Sequence, residues 1–129
     1  LKKVSLPSLV DLRKKEASLG EIETFLTSFA ALQRKSSCGC FVQNALVEHA
    51  GEDKDVLRMG HFLFDHLIEI MSDAIENAQR ETLIPKTLKP AELACFILNN
   101  MQGIRVLGKA KRYEDLDTAL SCLLTLIRK

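Results

Sequence analysis

Three groups of residues have the types and spacing to do chemistry. The first is Cys38-Gly39-Cys40, two thiols one residue apart, with His49 nine positions beyond the second. A tetrahedral metal site needs three or four soft ligands. Cys38, Cys40 and His49 supply at most three, and no second cysteine pair lies nearby. A disulfide across one intervening residue is strained. The residue types fit a small-residue start to a buried helix best, with thiol redox sensing and metal binding as the alternatives. The second group is His61 and Asp65, spaced i,i+4 on a helix. Both fall on a stripe expected to face water, which suits a solvated pair. The third is His66, one turn from Phe62 at the boundary of polar and apolar faces, the better placed histidine for a pocket. No nucleophile stands beside a base in a known pattern, and there is no glycine-rich phosphate loop or pair of carboxylates on an apolar face. Catalysis has no support in these residues, and no cofactor is implied.

The elements that must position these groups are helices. The chain has 129 residues, enough for one domain with a real core, and 47% apolar against 27% charged residues argues for a folded domain over disorder. A formal charge of +1 and aromatics at only 5% speak against a free-standing nucleic-acid binder. Four cysteines without a small, loop-rich scaffold read as reduced thiols, and the expected compartment is the cytoplasm. The most apolar stretch, 93–108, is interrupted by Asn99, Asn100, Gln102 and Arg105, so no membrane span is expected.

Apolar residues recur at helical spacing throughout, which predicts an all-α bundle of about six helices. Leu9, Leu12 and the basic run Arg13-Lys14-Lys15 read as the end of a helix beginning near or before Pro7. Ser18-x-x-Glu21 is a capping-box pattern, followed by a stripe of Ile22, Phe25, Leu26, Phe29 and Leu32. A shorter helix is expected over 39–50. A long one over about 54–81 carries Arg58, His61, Asp65, Glu69, Ser72 and Glu76 towards water. Its wide apolar arc, through Met59, Leu63, Leu67, Ile70, Phe64, Ile68 and Met71, predicts that this helix is the central element. Pro90 suits a first helical position, and the helix over 90–109 is charged only at Glu92, Arg105 and Lys109. A helix so apolar, and the last one over 113–128 with Leu116, Leu120, Leu123, Leu124 and Ile127, should be covered partly by a second chain.

The order of these features resembles a family. Gly39-Cys40-Phe41-Val42-x-Asn44-Ala45-x-x-Glu48, a long helix, Pro90-Ala91-Glu92-x-Ala94 and Met101-Gln102-Gly103-Ile104-Arg105-Val106-Leu107 together look like the C-terminal regulatory domain of TetR-type transcriptional repressors. The similarity runs from roughly residue 9 to the end. It implies a single effector-binding and dimerisation domain, with residues 1–17 as the end of a linking helix from a DNA-binding head that this chain lacks. Operator DNA would then be bound only through that head. Lys89 departs from the family's usual aspartate before the proline, which weakens the cap. On this reading a largely apolar small-molecule effector would meet Phe25, Phe29, Phe41, Asn44, Phe62, His66, Ile97 and Met101. A homodimer would form through Asn100, Gly103, Leu107, Leu116, Leu120, Leu123 and Ile127, with Gly103 allowing close approach of a symmetry-related helix. Two other classes of function stay open: a thiol or metal sensor on the same scaffold through Cys38 and Cys40, and a plain helical interaction module with no ligand.

Overall fold

A computed structural model describes residues 7–35 and 54–129, and every described element is helical: α1 (Pro7–Leu12), α2 (Leu19–Lys35), α3 (Lys54–Arg80), α4 (Pro90–Lys109) and α5 (Tyr113–Ile127). The all-α class follows. The helix expected over 39–50 lies outside the described residues, as do Cys38, Cys40, Phe41, Asn44 and His49. No described helix is long and apolar enough to cross a membrane.

The ends of these helices explain their lengths. Pro7 opens α1, where a missing N–H needs no partner. The helix stops at Leu12, so Arg13, Lys14 and Lys15 lie in the following turn and not in the last helical turn. Leu12 and Ala17, each 1% exposed, anchor that turn in the core at both ends. Half of the expected capping box forms: the Ser18 backbone N–H donates to Glu21 Oε1 at 2.8 Å. The Ser18 hydroxyl turns away from its own helix and donates to a Glu81 carboxylate oxygen at 2.6 Å, joining the start of α2 to the end of α3. Lys89 makes no side-chain cap for α4, whose start rests on Pro90.

Helices α3 and α4 end in the same way. Thr82 and Lys111 adopt left-handed backbone, with φ of 62° and 59°. The next N–H reaches back five residues, Leu83 to Ala78 at 2.9 Å and Arg112 to Leu107 at 2.9 Å, closing a Schellman motif usually built on glycine. Thr82 is β-branched, and that conformation strains it more than it strains lysine.

The core is one cluster drawn from all five helices and the loops between them, with Ile22, Leu26, Ile75, Ile97 and Leu116 fully buried. Helix α2, not α3, is the element against which each of the other described helices packs. The long α3 contributes its buried residues almost entirely from Met71 onward, while Met59 is 46% exposed. Helix α4 is covered by α2, α3 and α5 of its own chain. Its approach to α2 is unusually close at Gly108, where a Cβ would lie 2.7 Å from the Gln33 carbonyl oxygen and 2.8 Å from Gln33 Cβ. Gln33 is accordingly buried, and its Nε2 donates to the Phe29 carbonyl at 3.2 Å. Leu32, expected on the buried stripe, is only half-buried. Across the α2–α5 seam Arg34 pairs with Asp117 and lies over the Tyr113 ring at 5.2 Å, and Arg128 pairs with Glu23.

Two substitutions should therefore move stability in opposite directions. Gly108→Ala forces α4 off α2 and should cost about 1–3 kcal/mol, whereas Thr82→Gly relieves backbone strain and should stabilise by about 1 kcal/mol. Urea unfolding of both variants checks the two signs.

Candidate functional site

The residues expected around an effector divide into two sets. Phe25 and Phe29 stand one turn apart on α2, Ile97 and Met101 one turn apart on α4, and the two helices pack on one another. All four are buried, at 4%, 7%, 0% and 2% exposure, within the same core cluster. The same cluster includes Met71, Ala74, Ala94 and Ile104. Met71 and Met101 are the adaptable members of this set, since unbranched thioether chains reshape around a guest more readily than branched ones.

Phe62 and His66 do not join them. Phe62 is 67% exposed and His66 is exposed too, and their rings stack on each other at 5.9 Å with a 6° interplanar angle. At about 100° per residue Phe62 falls just beyond Glu69, at the edge of the solvent stripe of α3, with His66 further round. This corrects their assignment to the pocket: the first turns of α3 present these rings outward, and the helix is enclosed only further along. His61 and Asp65 are exposed as expected. Phe41 and Asn44 lie outside the described residues. Among the described residues no group of three or more His, Cys, Asp or Glu side chains could hold a metal ion.

The residues expected at a dimer interface also divide. Leu116, Leu123 and Ile127 are at most 2% exposed in the single chain, because α5 turns them towards α2 and α4. They belong to the chain's own core and are not available to a second copy, which corrects their assignment. Leu107, Leu120 and Asn100 are half-buried, and the Asn100 side chain donates to the Phe96 carbonyl of its own helix at 2.9 Å. Gly103 is exposed, and a Cβ built on it would meet nothing within 4 Å.

The exposed apolar residues of these two helices are others: Phe96 and Val106 on α4, 45% and 57% exposed, and Leu126 on α5, 63% exposed. With Gly103 between them, Phe96 and Val106 follow one strip along α4, opposite Ile97, Met101 and Gly108. Their helical spacing alone puts them on one face; what covers the other leucines is a matter of tertiary packing. Cys95 and Cys122 are free thiols, also exposed.

No family model, curated protein or solved structure matches the chain.

The division between core and surface is testable by truncation. Phe29→Ala should lower unfolding free energy by about 3–5 kcal/mol, while Phe62→Ala should change it by less than about 0.5 kcal/mol. Chemical denaturation of the two variants beside the parent chain measures the difference.

Proposed function

We propose that this chain is the regulatory domain of a TetR-like repressor, non-catalytic, homodimeric and responsive to a small apolar effector. The observation that carries the reading is the outward strip of Phe96, Gly103 and Val106 on α4, together with the exposed Leu126 on α5. Large apolar side chains grouped on the last two helices, around a glycine with open space over it, suit close packing against the same two helices of a second copy. The resemblance is compatible with a long α3 followed by α4 and α5 packed on one another, while its Gly39–Glu48 segment lies outside the described residues.

In this reading the two copies form a four-helix bundle from α4 and α5. Effector enters among Phe25, Phe29, Ile97 and Met101, where α2 and α4 meet. Such a core has no slack, so a guest is admitted only with a rearrangement of the helices around it. The effector then acts through its differential affinity for the two arrangements, and a ligand with equal affinity for both would regulate nothing. Helix α1, which packs on α2 and α3, is the element through which a preceding DNA-binding head would feel the change.

Sedimentation velocity of the purified chain tests the dimer. The parent chain should sediment as a dimer. Gly103→Arg should be monomeric yet folded, with its helical circular dichroism retained, since no intramolecular neighbour occupies the space over Gly103. A monomeric parent chain, or a dimer indifferent to both Gly103→Arg and Val106→Glu, would sink the proposed interface.

A further inference from the structure

A second feature lies away from α4 and α5. The turn after α1 and the outer face of α3 enclose a cleft of about 290 Å³, lined by Leu12, Arg13, Lys14, Lys15, Ile70, Asp73, Glu76, Asn77 and Arg80. Four of these side chains are cationic and two are carboxylates. The carboxylates do not neutralise the cations evenly. Arg80 pairs with Glu76 at 3.6 Å and also donates to the Asn77 side-chain oxygen. Lys14 pairs with Asp11 at 3.1 Å, outside the cleft lining. Among the described residues Arg13 and Lys15 have no carboxylate within ion-pair distance, and set against the unpaired Asp73 they leave the cleft lining with a net positive excess. A concave site with low-dielectric walls concentrates field more than a flat surface does. Leu12 and Ile70 are the apolar part of its lining.

The cations also project from a fixed backbone. Asn77 Nδ2 donates to the Lys15 carbonyl at 2.9 Å and to the Ala17 carbonyl at 2.7 Å, clamping the turn onto α3. Within the turn the Arg13 N–H reaches the Leu9 carbonyl at 3.0 Å and the Ala17 N–H reaches the Lys14 carbonyl at 3.1 Å. With Leu12 and Ala17 both buried, the segment carrying Arg13 and Lys15 is ordered before any ligand arrives, which removes part of the entropic cost of binding.

We infer that this cleft binds a small multiply charged oxyanion, a phosphate ester or a di- or tricarboxylate, held by Arg13 and Lys15 with Arg80 at its edge. Arginine contributes planar paired donors to an oxyanion, and lysine a point charge. Asp73, which also has no ion-pair partner among the described residues, opposes the bound anion and limits its affinity. The site is independent of dimerisation, and its failure would leave the proposed interface untouched.

Two-dimensional amide NMR of the full chain, titrated separately with inorganic pyrophosphate and with citrate, tests it. Saturable shifts confined to residues 12–17 and 70–80 are expected. Pyrophosphate alone producing them assigns a phosphate ester, citrate alone a polycarboxylate, and both a general oxyanion site. Arg13→Gln with Lys15→Gln should weaken binding by at least about tenfold. Asp73→Asn should tighten it by roughly threefold. Lys86→Gln with Lys89→Gln removes the same charge from the α3–α4 loop and should leave affinity unchanged. Shifts that do not saturate, or equal weakening by the two double variants, would reduce the effect to diffuse surface charge and overturn the site. So would Asp73→Asn leaving affinity unchanged.

Discussion

The arrangement of this domain depends on how closely α4 can lie against α2. At Gly108 the Gln33 carbonyl and Cβ occupy the place a side chain would take, so the two helices meet backbone to side chain with no intervening layer. That contact brings Phe25, Phe29 and Leu26 of α2 into one cluster with Ile97, Met101 and Ile104 of α4. It also leaves room on either side for α3 and α5 to close over α4. A helix as apolar as α4 is thus largely satisfied within its own chain. What remains outside is the single strip through Phe96, Gly103 and Val106. The proposed interface is therefore a residue of the packing geometry: the one side of α4 that three neighbours cannot reach.

Polar groups do a different job, and they gather around the end of α3. Asn77 holds the α1–α2 turn, and Glu81 accepts from Ser18. Gln79 donates to the Pro85 and Leu88 carbonyls at 3.0 and 2.7 Å, shaping the connection into α4. The Lys129 N–H reaches the Leu83 carbonyl at 3.0 Å, fastening the end of the chain to the same place. Residues 77–83 thus tie together the starts and ends of four helices. Because buried or half-buried polar groups must find partners, these bonds fix the relative positions of elements that apolar contact alone would let slide. The strain at Thr82 is tolerated in the middle of this knot, where the surrounding bonds leave the backbone no alternative.

Much of this was legible in the sequence because helix periodicity and end signals are local. The stripe from Ile22 to Phe29, the Ser18–Glu21 pattern and Pro90 located α2 and α4 to within a residue or so. The long solvent stripe of α3 was right at Arg58, His61, Asp65, Glu69 and Glu76, all exposed. The errors have a common cause: periodicity identifies an apolar face but not what covers it. Leu116, Leu123 and Ile127 were given to a second chain when their own α2 and α4 were available. Phe62 and His66 are expected together at a pocket, yet both are exposed. Conversely, Gln33 is buried only because Gly108 lies over it, a contact between residues 75 positions apart that no local pattern contains. The cleft beside Arg13 and Lys15 escaped notice for a related reason. A basic run after a helix is ordinarily a solvated end, and only the Asn77 clamp turns this one into a wall.

Helix α2 is where the two outward features meet. The α1–α2 turn forms one wall of the charged cleft, and α4 and α5, which carry the exposed apolar residues, both pack on α2. A guest among Phe25, Phe29, Ile97 and Met101 would press on the α2–α4 contact, which has no free volume at Gly108 to absorb the change. In the proposed regulatory reading, the close contact at Gly108 would favour passing that change to α5 or along α2 over absorbing it locally. A packed core with two discrete arrangements couples distant surfaces in this way without any dedicated path between them. Coupling of that kind is set by how differently the ligand binds the two arrangements, which in the proposed reading differ at the α2–α4 contact.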